Sequence, residues 1–157
     1  IQMKSKIIDR KDLSKVVEKL KKQGKKIVTI NGSFDILHLV HIKLLREAKE
    51  QGDVLIVGLN SDSSIKKYKS VNRPINTQNY RAEMLEALES VDYITIFDET
   101  TPNALLEIIK PDVHCNGEEY GENCIEAPVV KKYGGRIHLI KKFKDFSTTK
   151  LIERLKQ

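Results

Sequence analysis

The chain has 157 residues, 39% hydrophobic and 32% charged, with a formal net charge of +6 and two cysteines. That length supports one hydrophobic core, and residues 1–157 are expected to form a single domain. No apolar run approaches a membrane span, no apolar leader opens the sequence, and Cys115 and Cys124 make no disulfide framework, so a cytoplasmic protein without a membrane partner is expected.

Ile1 and Gln2 precede Met3 and are expected to be a remnant at the edge of that domain. Residues 12 to 23 carry Leu13, Val16, Val17 and Leu20 on one helical face, with Asp12 as the expected N-cap and Gly24 as the stop. A strand is expected over 25 to 30. It turns through Asn31, Gly32 and Ser33 into a helix-patterned segment that bears His38 and His41, turns Leu44, Leu45 and Ala48 inward and ends near Gly52. Asp53 to Leu59 (DVLIVGL) is an almost continuous apolar run, as in a strand covered on both faces.

The next stretch, NSDSSIKKYKSVNRPIN, is polar, is expected to be a loop, and gathers Lys66, Lys67, Lys69 and Arg73. Thr77 is placed to cap a helix burying Met84, Leu85 and Leu88, and a strand is expected over Val91 to Phe97. Thr101 is the expected cap of the following helix, with Pro102 in its first turn and Pro111 at its end. Asp112 to Asn116 reads as a short strand running into the loop NGEEYGEN, 126 to 133 as a helix, and 136 to 140 as a last strand. The tail FKDFSTTKLIERL reads as a loop and a helix capped by Ser147 or Thr148. This alternation predicts a Rossmann-like, doubly wound α/β fold of about five parallel strands with helices on both faces.

The segment Ile27 to Lys49 carries the strongest functional signal. Amide groups at a helix start lack intrahelical partners and face the positive end of the helix dipole, so a strand, a Gly turn and a helix start make an anion cradle. Two histidines three residues apart on a helical register share a face, and here they sit where open α/β sheets bind ligands. The lysine-rich loop follows a neighbouring strand; a charged surface loop is one reading and a phosphate clamp the other, favoured by its position. Lysine pairs beginning at Lys21, Lys25, Lys66, Lys131 and Lys141 are scattered and interrupted by acidic residues, without aromatic interleaving. That argues against a nucleic-acid partner and suits a small anionic ligand. The GxGxxG and Walker A patterns are missing, which disfavours dehydrogenases and P-loop kinases. Cys115, Cys124, His114 and His138 lack zinc-site spacing, so no protein metal site is expected.

NGSFDILHLVH resembles the signature of the nucleotidyltransferase superfamily of cytidylyl- and adenylyltransferases, HxGH after a strand and a G-x-F-D turn, with Val40 in place of the family glycine. The order SKIIDRKDL, NGSFDILH, VGLNSDSSIKKYK, NRPIN, the stretch from Arg81 to Asp92, NGEEY and FSTTKLI extends the likeness over essentially the whole chain. It is most similar to D-glycero-β-D-manno-heptose 1-phosphate adenylyltransferases. The resemblance implies transfer of AMP from ATP, accompanied by Mg²⁺, to a phosphorylated sugar, and a homodimer. It implies catalytic roles for His38, His41 and Lys66, and nucleotide contacts from Asn31, Gly32, Ser33, Phe34, Lys142, Ser147, Thr148 and Thr149. Lys66, Lys69, Arg73, Gly117, Glu119 and Tyr120 would meet the acceptor, and Asp35 is read as structural. Three alternatives stay open: a CTP-dependent cytidylyltransferase acting on glycerol 3-phosphate or another polyol phosphate, a nucleotide-binding protein impaired in catalysis by Val40, and a nucleic-acid-binding domain.

Overall fold

The computed structural model describes residues 5–141 and 148–156. Five strands, β1 (Ile27–Gly32), β2 (Val54–Asn60), β3 (Tyr93–Phe97), β4 (Val113–Gly117) and β5 (Arg136–Ile140), form one sheet in the order β3-β2-β1-β4-β5. Every pairing is parallel. The chain winds outward from β1 in one direction and then returns to β4 on its other side. The C-terminal ends of β1 and β4 therefore flank the crevice where a sheet of this kind receives ligands.

The helices are α1 (Arg10–Lys22), α2 (Leu39–Lys49), α3 (Asp62–Tyr68), α4 (Gln78–Glu86), α5 (Asn103–Ile109), α6 (Ala127–Lys132) and α7 (Thr148–Leu155). Alternate side chains of each strand point to opposite faces, and both faces are covered. Val28, Ile30, Leu55, Val57 and Leu59 pack with Leu45 and Ala48 of α2 and Ala82 and Leu85 of α4. Ile27, Val54, Ile56 and Phe97 pack with Leu13, Val17 and Leu20 of α1 and Leu105 and Ile109 of α5.

Several expected boundaries move. Asp9, not Asp12, caps α1, accepting from the Lys11 amide, and the helix starts at Arg10. The stop at Gly24 holds, with φ +68°. Part of the polar stretch expected to be a loop is helix α3. Ser61 accepts from the Ser64 amide at 3.1 Å, Ile65 is its apolar anchor, and Asp62 and Lys66 suit the two ends of its dipole. In α4, capped by Thr77 as expected, Met84 is exposed; Arg81 and Ala82 take the buried positions beside Leu85. Pro102, not Thr101, occupies the N-cap of α5.

Arg81 is the largest fully buried side chain. Its Nε donates to the Asn76 carbonyl at 3.0 Å and its NH1 to the carbonyls of Ser33 and Asn60 at 2.6 and 2.8 Å. NH2 meets Asp62 Oδ1 at 2.9 Å. One guanidinium thus joins the turn after β1, the end of β2, the start of α3 and the loop before α4. Removing it strands three carbonyls and leaves Asp62 unpaired. R81M is expected to lose about 3–5 kcal/mol of stability, read as a lowered denaturant midpoint.

His114 lies inside the sheet, its Nδ1 2.8 Å from the Thr29 hydroxyl, while its Nε2 is buried with no hydrogen-bond partner among the described residues. Burial pushes its pKa down to about 4. The unfolded chain then binds the proton first, so this contribution to stability is complete above pH 6.5 and is lost as pH falls toward 4. H114Q keeps a hydrogen-bonding side chain that does not titrate. The slope of melting temperature between pH 6.5 and 4 should be shallower in H114Q than in the wild type, and equal slopes would contradict this.

Candidate active site

The site is assembled at the C-terminal ends of β1 and β4. Past Gly32 the chain turns sharply, with Phe34 in the left-handed region at φ +44°. An L side chain adopts that conformation only where its surroundings enforce it, and here the Phe34 ring is buried in the core. Gly32 makes room for that ring: a Cβ on it would stand 3.0 Å from Phe34 Cε2.

The strained turn delivers Asp35 to a buried position where its carboxylate is fully used. Oδ2 accepts from Arg73 Nε at 3.0 Å and the Ile75 amide at 2.9 Å, and Oδ1 from the Asn76 amide at 2.9 Å. Asn76 Nδ2 returns a bond to the Asp35 carbonyl at 2.6 Å. Arg73 therefore clamps the loop between α3 and α4 onto the turn after β1, and Asp35 is structural. The clamp carries Lys69 to the same place, where its Nζ donates to Ser33 Oγ at 3.0 Å. Desolvation, with the positive charges of Arg73 and Arg81, lowers the Lys69 pKa, and Asp35 opposes the fall.

His38 is the N-cap of α2, one step outside the helix, and His41 is its third residue. Their ring centroids are 4.0 Å apart, so the two imidazoles do share a face. The His38 amide donates to His41 Nδ1 at 3.4 Å, and the Phe34 ring meets His41 edge-on at 5.4 Å. Burial, followed by the neighbouring His38, pushes His41 down to about 4, while the Ile36 carbonyl acts the other way. Burial lowers His38 as well. At neutral pH the unliganded site thus presents neutral imidazoles. A ligand bearing several negative charges would draw a proton onto them.

A cavity of about 620 Å³ opens over these residues. Asn31, Gly32, Ser33, Phe34, His38, His41, Lys69, Gly117, Glu119 and Tyr120, all expected from the sequence, line it. Val40 lines it too, so the branched side chain that replaces the family glycine leaves the niche open. Lys66 is exposed on α3 and is not among the lining residues, and Arg73 reaches the cavity only through Asp35. Thr149 is exposed on α7 and does not line the cavity. Lys142, Ser147 and the Thr148 side chain lie outside the described residues.

The cavity also contains residues that sequence reasoning missed: Asn60, Thr101, Asn116 and Glu126. Asn116 follows the apolar part of β4, where a ligand-facing side chain is expected of a doubly wound sheet, and that was the available signal. Glu126 had none, since it sits after a loop and caps a helix of only six residues. Imidazoles, amides, Lys69 and the paired Asp35 gather at the start of α2; carboxylates of Glu119 and Glu126 lie beyond the end of β4, where Lys141 after β5 also lines the cavity. Phosphates belong at the start of α2.

Comparison with known proteins agrees with this geometry. The sequence model of the cytidylyltransferase-like family matches residues 29–154. The chain is 46% identical over 151 residues to the bifunctional protein HldE of a Nitratiruptor species, covering 96% of this chain and 32% of that protein. It is 41% identical over 152 residues to the bifunctional protein HldE of Pseudomonas aeruginosa, covering 96% and 32%. The chain spans about a third of the length of these curated relatives. Among solved structures, the lipopolysaccharide core biosynthesis protein of Thermoplasma volcanium superposes with a TM-score of 0.63 at 30% identity, over 78% of this chain and 100% of that one. Pantoate-beta-alanine ligase of Francisella tularensis shares the fold, with a TM-score of 0.63 at 19% identity over 98% of this chain and 80% of that one. With the histidine pair, the amide turn and a family match running from β1 into α7, the chain belongs to the cytidylyltransferase-like family.

Proposed function

We propose that this chain is a nucleotidyltransferase that moves AMP from ATP onto D-glycero-β-D-manno-heptose 1-phosphate, forming ADP-heptose and releasing pyrophosphate. The observation that carries the reading is the paired imidazoles of His38 and His41 at the start of α2, opening on a cavity at the sheet's switch point. Identities of 46% and 41% to HldE proteins over nearly the whole chain support the choice of nucleotide and acceptor.

In this reaction an oxygen of the acceptor's phosphate attacks the α-phosphorus of ATP, and the bond from that phosphorus to the bridging oxygen of pyrophosphate breaks. No protein nucleophile is required. The protein positions two anions against each other and stabilises the charge that builds between them. The backbone from Asn31 to Phe34 cradles the triphosphate. His38 and His41 donate to its oxygens, and Lys69 compensates charge from the clamped loop. Lys142, Ser147 and Thr148 are assigned the remaining phosphate contacts, as the family resemblance implies, while Lys66 and Thr149 stand away from the cavity lining. Gly117, Glu119 and Tyr120 border the acceptor.

A divalent cation accompanies ATP in this chemistry, and we assign it as Mg²⁺. Among the described residues no group of three His, Cys, Asp or Glu side chains is placed to hold a metal, and Asp35 is occupied by Arg73 and two amides. The residues therefore fit a cation that arrives on the triphosphate and retains water ligands. Bound there, it supplies neutralisation of phosphate charge.

Pyrophosphate release measured with ATP or CTP crossed with heptose 1-phosphate or glycerol 3-phosphate tests the proposal. Turnover is expected for ATP with heptose 1-phosphate; turnover confined to CTP with glycerol 3-phosphate would overturn it. H38A and H41A are each expected to lower kcat by roughly 10²–10³ with smaller changes in KM, because these donors act most strongly in the transition state.

A further inference from the structure

Besides the imidazoles and Lys69, the cavity is lined by polar side chains around the end of β4, among them Glu126, Asn116 and Lys141. Glu126 is buried among the cavity-lining residues. Its carboxylate is held from behind by Asn116 Nδ2, which donates to Oε2 at 3.3 Å. Asn116 is itself fixed, its Oδ1 accepting from the Gly117 amide at 3.1 Å. Asn31 lies on the same face of the sheet, since a Cβ on Gly58 would be 3.4 Å from Asn31 Cβ and 3.0 Å from Leu105 Cδ2 of α5. Its Oδ1 is buried with no hydrogen-bond partner among the described residues.

A carboxylate accepts hydrogen bonds and repels phosphate. A buried acceptor without a donor costs free energy that a ligand recovers by supplying one. This wall is therefore complementary to an uncharged, donor-rich part of a substrate. In-line displacement separates the incoming group from the departing pyrophosphate. The triphosphate occupies the α2 side of the strand ends, and the incoming molecule must reach it from another side.

We propose that Glu126, with Asn31, reads hydroxyl groups on the body of the acceptor and so helps determine which phosphorylated compound is used. The inference deepens the proposed function and rests on it for the identity of the acceptor. The same donor chemistry is available from the exocyclic amine of a nucleobase, and the experiment separates the two sources.

Calorimetric binding to wild type and E126Q needs no turnover, so its outcome is independent of the pyrophosphate assay. E126Q is nearly isosteric but replaces one acceptor oxygen with a donor. Its Kd for heptose 1-phosphate is expected to rise about tenfold or more while its Kd for ATP changes less than about twofold. A rise confined to ATP, with the keto analogue inosine triphosphate unaffected, would keep the donor-reading wall but overturn its assignment to acceptor hydroxyls. A folded E126Q with both affinities unchanged would overturn the proposal altogether. Should E126Q lose its cooperative thermal transition, singly deoxygenated heptose 1-phosphates on the wild-type chain carry the test. At least one should bind about tenfold more weakly, and indifference to every deoxygenation would overturn the proposal.

Discussion

A guanidinium withdrawn from water needs compensation for every donor it carries, and Arg81 finds it in carbonyls that belong to separate stretches of chain. Ser33, Asn60 and Asn76 are far apart in sequence, yet all three accept from this one group. The buried charge is what makes their mutual arrangement the low-energy one. Asp35 performs the reciprocal task with a buried negative charge, accepting from Arg73 and from the Ile75 and Asn76 amides. Together the two charges weld the turn after β1 to the loop before α4. Lys69, between them in sequence and in space, comes to rest against Ser33 as a consequence.

The electrostatic character of the site follows from that frame. Burial disfavours protonation of both His38 and His41, and the neighbouring His38 adds to the effect on His41. An empty site of this kind carries little charge on its imidazoles. Under the proposed function a bound polyanion would draw protons onto the imidazoles, which suits a reaction whose stabilisation is required as charge develops. Val40 stands between them in the chain and borders the same cavity without closing it.

The features carried by periodicity were legible in the sequence. The limits of β5 were read correctly, Thr77 was recognised as a cap, and the strand, turn and histidine order located the cavity. Features that depend on tertiary pairing were not. Helix α3 escaped because a single apolar residue, Ile65, anchors seven residues whose other side chains are polar or aromatic. Met84 was expected inside because apolar residues are normally buried, but Arg81 holds the interior position through bonds that no local pattern announces. Asp35 was read as a turn and helix-cap residue, and its actual partners some forty residues away are visible only in three dimensions. Glu126 illustrates the same limit: a glutamate after a loop looks like surface until Asn116 is seen to hold it.

Convergence of the two imidazoles on one polyanion is the central claim. Side-chain NMR of the histidines, titrated with pH in the absence and presence of α,β-methylene ATP, tests it most directly. Without nucleotide His41 should titrate near pH 4, and with the triphosphate bound its pKa, and that of His38, should move upward together. Titration curves unchanged by saturating nucleotide would contradict the account.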